Sequence, residues 1–345
     1  MNGMWAFIAA ILSFAITAVL GKKLIPFLHK LKYGQTILDI GPSWHKQKQG
    51  TPTMGGIMFI IGITVSTLVC VPLYYFVSGG FTIQNVETPL MMAKIFGGLT
   101  MAAGFALIGF LDDYIKVVKE QNLGLTSSQK LILQFIVAAV YLVIIGVVEK
   151  LNGGNNITAT LIPFVGNINI GPIYWPLAMI LIVGINNAVN LTDGVDGLNA
   201  SVTFFSAIFF MVIASFMGMF GLSILGASLA GGCLGFLMWN FHPAKVFMGD
   251  TGSLFLGGMI AALAFGIDMP ILLVPMGVVY ICEMFSVILQ VMYFKITKGK
   301  RLFKMSPIHH HFEMCGWAET KICFVFSLIA ILGGLISLIL VILGV

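Results

Sequence analysis

The stretch 91-MMAKIFGGLTMAAGFALIGFLDDYIK-116 carries the decisive pattern of this chain. Its first part, to Leu111, is apolar apart from Lys94, and a run of about 20 such residues suffices to cross a bilayer. It ends in two adjacent carboxylates, Asp112 and Asp113, with Lys116 close behind. The rest of the 345 residues repeats the apolar theme: 59% are hydrophobic, 9% are charged and the mean hydropathy is +1.02. Soluble domains carry about 25% charged residues, so this is an integral membrane protein. The pattern predicts an all-α, polytopic protein of one domain, residues 1–345, with ten spans. They cover roughly 4–27, 53–77, 91–111, 130–148, 172–189, 198–217, 220–239, 251–267, 270–294 and 322–344. Only MGMFGL divides the sixth from the seventh. The five cysteines lack metal-ligand spacing and predict no disulfide.

Charge orients these spans. Every Lys and Arg except Lys94 and Lys150 falls in, or at the helix ends beside, the loops after spans one, three, five, seven and nine. Loops enriched in cations stay cytoplasmic, which predicts both termini outside. This topology accounts for the net charge of +5 without nucleic-acid binding. The first apolar run, Met4–Leu20, has no cation before it and Lys22 and Lys23 after it, so no cleaved signal peptide is expected. All six histidines fall on the predicted cytoplasmic side, as do Asp112, Asp113, Asp193, Asp196 and Asp250. The working face is therefore expected to be cytoplasmic. The absence of an internal repeat, with polar residues at the edge rather than mid-membrane, argues against a transporter.

Four constellations carry the chemistry. Asp112 and Asp113 sit at the C-terminal end of a span, where the helix dipole disfavours anions. Adjacent carboxylates also repel, so the pair needs a cation: Lys116, one turn on, or a bound metal. Asn186, Asn187 and Asn190 precede Asp193 and Asp196 in NNAVNLTDGVDGL; they suit base or sugar recognition, or form a polar turn. TPTMGG (51–56) and MGDTGS (248–253) each open a span, where free N–H groups attract anions and glycine admits a ligand close to the backbone. Ordinary helix capping explains them equally well. His309, His310 and His311 in SPIHHHFE lack zinc spacing and suit hydrogen bonding to phosphate or sugar, or a solvated cluster. Glu283 and Gln290 are seven residues apart in the ninth span and share one face. That face is expected to border a lipid groove leading to the aspartates. From Met269 to Ile296 the element is too long for the hydrocarbon core unless it tilts, kinks or protrudes.

Taken in order, TPTMGG, DDYIK, NLTDGVDGL, NFHPAKVFMGDTGS and SPIHHHFE resemble the polyprenyl-phosphate N-acetylhexosamine-1-phosphate transferases over essentially the whole chain. The HHHFE form points to the muramoyl branch rather than the N-acetylglucosamine branch. The resemblance implies transfer of phospho-N-acetylmuramoyl-pentapeptide (phospho-MurNAc-pentapeptide) from UDP-MurNAc-pentapeptide to undecaprenyl phosphate, giving lipid I and UMP. It also implies Mg²⁺, a bacterial inner-membrane location and a homodimer. By that likeness Asp250 resembles the Mg²⁺ ligand, and Asp112 resembles the residue that prepares the lipid phosphate, with Asp113 beside it. Asn190, Asp193, Asp196, Asn240 and Phe247 resemble a nucleoside-binding group. Lys48, Lys116 and Lys130 resemble phosphate-facing lysines, and Gln290 with His309, His310 and His311 resembles a group near sugar and pyrophosphate. A sister transferase using UDP-N-acetylglucosamine is the alternative.

Overall fold

The computed structural model describes residues 2–30, 48–78, 87–118, 123–154 and 158–345. Lys32, Lys46, Lys119 and His45, used above for orientation, lie outside the described residues. Ten helices among these residues are long and apolar enough to cross a membrane. They are α1 (Asn2–Lys30), α2 (Ile57–Val77), α3 (Glu87–Val118), α4 (Ser127–Leu151), α5 (Tyr174–Leu191), α6 (Leu198–Phe216), α7 (Phe220–Asn240), α8 (Gly249–Gly266), α10 (Val278–Ile296) and α12 (Glu319–Gly344). Two short helices complete the set, α9 (Leu273–Met276) and α11 (Ile308–Glu313). The expected division at MGMFGL holds: the chain turns at Gly218, whose φ is +76°, between α6 and α7.

Helix α3 runs past the expected boundary at Leu111 to Val118, so Asp112, Asp113 and Lys116 are helical residues in its last two turns. Helix α4 starts behind a capping box, with the Thr126 side chain accepting from the Gln129 N–H and the Gln129 side chain returning to the Thr126 N–H. At the end of the bundle away from the aspartates, an unexpected hairpin pairs β1 (Ala159–Ile162) with β2 (Gly166–Asn169). It donates from Leu161 N–H to the Asp268 carbonyl (2.9 Å) and from Phe164 N–H to the Gly344 carbonyl (2.9 Å), tying down the ends of α8 and α12.

The ninth span needs correction. It is not one helix from 270 to 294: a 3₁₀ turn at Pro270–Leu272 leads into α9, and Gly277 separates α9 from α10. Pro275 lacks the N–H for a continuous helix, and Gly277 relaxes the backbone two residues later. The break takes up the excess length. The shared face of Glu283 and Gln290 is also not a groove wall. Val279, Tyr280, Glu283, Ser286 and Gln290 form the buried stripe of α10, facing protein. The polar pair is inward because each side chain has protein partners there, described below.

Helix α8 is the axle of the bundle, and every residue from Thr251 to Gly266 is buried. Small residues let its neighbours approach. A Cβ on Gly109 of α3 would lie 2.1 Å from the Asp250 carbonyl oxygen, and one on Gly98 would lie 2.6 Å from the Ala262 Cβ. On α8 itself, a Cβ on Gly258 would reach 2.7 Å from the Ala102 Cα, and one on Gly257 2.6 Å from the Asn186 side chain. Close backbone approach through small residues is how helices associate in lipid, where burial from water no longer drives them together. Gly109→Ala should therefore lower thermal stability in detergent by about 1–3 kcal/mol, the cost of overpacking a filled contact. Gly184→Ala on α5, where a Cβ meets nothing within 4 Å, is the control and should be neutral or stabilising. Equal melting temperatures for the two variants would disprove the tight seam.

Candidate active site

The C-terminal ends of α3, α5 and α10 and the N-terminal ends of α4, α8 and α12 meet at one end of the bundle. Asp112, Asp113 and Asp250 gather there, each offering a carboxylate oxygen within 4.8 Å of the others. Their surroundings differ. Asp113 is buried and aims at the N-terminus of α8. Its Oδ1 accepts from the Asp250 N–H (3.2 Å), and its Oδ2 accepts from the Thr251 N–H (2.9 Å) and the Thr251 hydroxyl (2.7 Å). A carboxylate from one helix thus caps another, taking up N–H groups that α8 leaves unpaired. Thr53 and Gly249 complete the fit: a Cβ on Gly249, whose φ is +70°, would lie 2.5 Å from Asp113 Oδ2 and 2.8 Å from Thr53 Oγ1.

Asp112 is fully buried, and its Oδ1 accepts from the Leu125 N–H at 2.7 Å. Its Oδ2 faces two ammonium groups, Lys116 Nζ at 2.6 Å and Lys130 Nζ at 2.9 Å. Both lysines also reach Asp250 Oδ2, Lys130 at 2.5 Å and Lys116 at 3.5 Å. Asp250 and the two lysines are partly exposed, so the cluster opens to the surface on their side. The amide of Asn190 donates to Asp250 Oδ1 (3.1 Å) and to Ser253 Oγ (2.8 Å). Asp113 turns its oxygens to the first turn of α8, whereas Asp112 Oδ2 and Asp250 Oδ2 both face the two lysines. That donor set, hard carboxylate oxygens on rigid helices, suits a divalent cation.

A second cluster lies alongside. Lys48 Nζ pairs with Asp196 Oδ1 (2.7 Å) and Glu319 Oε2 (2.6 Å). His242 Nδ1 lies 3.1 Å from Asp196 Oδ2, which also accepts from the Ala244 N–H at 3.0 Å. Glu319 Oε2 accepts from the Asp196 N–H at 3.1 Å. Asn240 clamps the same loops, accepting from the Gly197 N–H (3.0 Å) and donating to the Val246 carbonyl (2.9 Å). Sequence reasoning missed Glu319, because one acid in the first turn of a span reads as ordinary dipole complementation. His242 was given no role either, because the residues between Asn240 and Pro243 are expected to vary within the resemblance.

Between the clusters runs the loop 192–197. Asp193 is half-buried there, and its carboxyl is held well above the usual range by burial first and then by the negative charge of Asp250, Asp113 and Asp196. The glycines of TPTMGG have a use not foreseen: Gly55 and Gly56 donate to the Phe247 and Met248 carbonyls (2.8 and 3.1 Å), while the Phe247 N–H donates to the Pro52 carbonyl (2.8 Å). This backbone pairing holds half-buried Phe247 beside α8. Gln290 accepts from the Leu302 and Phe303 N–H groups (3.0 and 2.9 Å) and donates to the Phe303 carbonyl (3.1 Å), fastening the loop after α10. The three histidines diverge. His309 is buried against Glu283, His310 Nδ1 meets Glu313 Oε2 at 2.5 Å, and His311 Nδ1 accepts from the Lys304 N–H at 3.1 Å.

With this geometry in place, comparison with known proteins is decisive. The model of glycosyl transferase family 4 matches residues 95–268, and signature 1 of the phospho-N-acetylmuramoyl-pentapeptide transferases matches residues 48–60. A phospho-N-acetylmuramoyl-pentapeptide-transferase of Heliobacterium modesticaldum is 47% identical over 340 residues, 97% of this chain and 98% of its own. Its counterpart in Desulforamulus reducens is 46% identical over 336 residues, covering 94% of this chain and 95% of its own. The chain belongs to the phospho-N-acetylmuramoyl-pentapeptide-transferase family. The signature of that family begins at Lys48 and spans the TPTMGG segment, and the glycosyl transferase match runs from Ile95 within α3 through α8, a range that holds all three clustered aspartates.

Two predictions separate the roles. Asp113→Asn should cost about 2 kcal/mol of thermal stability, since an amide keeps one acceptor oxygen and loses the charge facing a helix N-terminus. Asp250→Asn should cost less than Asp113→Asn, as its N–H still meets Asp113 and Asp112 still pairs both lysines; comparable melting shifts in both variants would refute the division. Asp193 sets a pH dependence. Its folded value is raised, so the folded state holds the proton more tightly than the unfolded chain does. That contribution is full below the ordinary Asp value near about 3.9 and is lost as pH rises toward the raised value. In chelator, Asp193→Asn should melt higher than wild type at neutral pH, with the difference shrinking toward about pH 4. A difference that does not depend on pH would contradict this.

Proposed function

We propose that the chain transfers phospho-MurNAc-pentapeptide from UDP-MurNAc-pentapeptide to undecaprenyl phosphate, making lipid I and UMP at the cytoplasmic face of a bacterial inner membrane. The observation that carries this is the Asp112–Lys116–Lys130–Asp250 cluster, in a chain nearly half identical to curated transferases of that name. Both substrates bring phosphate. The lipid phosphate oxygen attacks the β-phosphorus, the bond to the bridging oxygen breaks, and UMP departs with the bonding pair. Such a reaction rests on positioning and charge neutralisation.

Lys116 and Lys130 are the cations available to incoming phosphate oxygens, being the partly exposed members of the cluster. Asp112 is suited to holding both ammonium groups at one height, since its own oxygens are engaged by them and by Leu125 N–H. Asp250, braced by Asn190, is suited to hold Mg²⁺ with Asp112 nearby. When bound there, Mg²⁺ would supply charge neutralisation for the diphosphate and the leaving UMP. Asp193 and Phe247, on adjoining loops, are suited to the nucleoside. Lys48, Asp196 and Asn240 are suited to shaping those loops from behind.

UMP release should require UDP-MurNAc-pentapeptide, undecaprenyl phosphate and Mg²⁺ together, and UDP-N-acetylglucosamine should not substitute. Asp250→Asn should reduce turnover by about 10³-fold or more, the scale of losing a charge-stabilising group. Retention of near wild-type activity with the same Mg²⁺ requirement would defeat the metal assignment. For sidedness, a cysteine at position 298 should be labelled in inverted vesicles and one at position 150 in right-side-out vesicles; the opposite result would reverse the topology.

A further inference from the structure

Glu283 of α10 and His309 of α11 form a sealed pair. Both are 0% exposed. His309 Nδ1 lies 3.0 Å from Glu283 Oε2, and the His309 N–H lies 3.5 Å from the same oxygen. Each partner also keeps one buried polar atom without a hydrogen bond, Glu283 Oε1 and His309 Nε2. Withdrawing such groups from water is costly, and well-packed apolar residues would often be more stable. The pair therefore needs an explanation other than stability.

The far edge of the imidazole supplies one. A Cβ built on Gly194 would lie 2.1 Å from His309 Nε2 and 2.7 Å from its Cε1. The ring edge thus rests on the Gly194 backbone, one residue from Asp193, and leaves no room for a side chain at 194. Around this point the loop makes short local turns, Asp193 N–H to the Asn190 carbonyl and Gly194 N–H to the Thr192 carbonyl. Its later part is anchored by Asp196 and Gly197. His309 is the packing surface beneath the part that carries Asp193.

We infer that Glu283 is a positioning residue for the nucleotide-sugar substrate: it fixes the ring of His309, whose Nε2 edge sets the height of the Asp193–Gly194 loop. A carboxylate only accepts, so Nδ1 carries the hydrogen, and the hydrogen bond at one ring nitrogen fixes the state of the other. Flipping the ring about Cβ–Cγ would place a carbon against Glu283, so the bond fixes orientation as well. The inference rests on the transferase reading and on the nucleoside role proposed for Asp193. It assigns a function to Glu283, and it separates His309 from His310 and His311, which face other partners.

The test is steady-state kinetics with each substrate varied in turn, for wild type, Glu283→Gln, Gly194→Ala and the double variant, alongside melting temperatures. Glu283→Gln keeps the volume but offers an amide that can either accept from or donate to Nδ1, so it no longer dictates which ring nitrogen carries the hydrogen. It should raise KM for UDP-MurNAc-pentapeptide about five-fold or more while moving KM for undecaprenyl phosphate less than about two-fold. Gly194→Ala, which displaces the ring from the opposite side, should reproduce that split. The double variant should be no worse than the worse single variant, because both changes act on one contact. Unchanged KM values, equal rises for both substrates or additive effects would overturn the inference. If Glu283→Gln does not fold, Gly194→Ala decides: an unaltered nucleotide-sugar KM rejects the proposal and the selective rise upholds it. Absence of UMP release by the wild-type protein would instead strike the transferase reading itself.

Discussion

The contact between the Asp113 carboxylate and the first turn of α8 is the constraint on which the site depends. Two helices that cross a membrane in opposite directions bring the negative end of one dipole beside the positive end of the other. An aspartate on α3 is unfavourable when that helix is considered alone. Beside α8 it caps the N–H groups of Asp250 and Thr251. The same contact fixes where the Asp250 side chain begins. The small residues along the seam, Gly98, Ala102, Gly109, Gly258 and Ala262, hold the two backbones near enough for a short side chain to span the gap. A bulkier seam would leave both the cap and the metal-binding donors out of reach.

Around this contact, charge is balanced unevenly. Asp112 and Asp250 share two lysines from two helices, while Asp196 and Glu319 share Lys48. Among the described residues Asp193 has no such cation, and it feels three neighbouring carboxylates. The result is a site whose clustered carboxylates are neutralised from within, with two lysines at its opening for incoming phosphate and a neighbouring loop at Asp193 that favours added positive charge. An enzyme joining two phosphate-bearing substrates needs both conditions: donors that hold their shape without ligand, and a local field that welcomes a divalent cation with its anion.

The broken ninth span serves the same end in another way. Beyond the break at Gly277, α10 presents Glu283 and Gln290 inward, one to α11 and the other to the loop at Leu302–Phe303. Seven-residue spacing correctly put both on one face. It could not tell whether that face met lipid or protein, because apolar neighbours surround a helix in either case.

The sequence by itself determined the membrane class, the span count and the end of the bundle where the polar residues collect, because a bilayer demands long apolar runs and polar groups are driven to their edges. It also singled out most of the polar residues that the structure clusters, because charges are costly in such a chain and their few positions stand out. Only the tertiary structure decided what each does locally. Asp112 and Asp113 are adjacent in sequence, yet one faces lysines and the other a helix terminus, since successive helical side chains point about 100° apart. Glu319 and His242 were illegible because their partners lie 123 and 46 residues away from them in the chain, at Asp196. The glycines of TPTMGG look made for a ligand but admit the 247–248 backbone, a difference that depends on which segments the fold brings together and not on local chemistry.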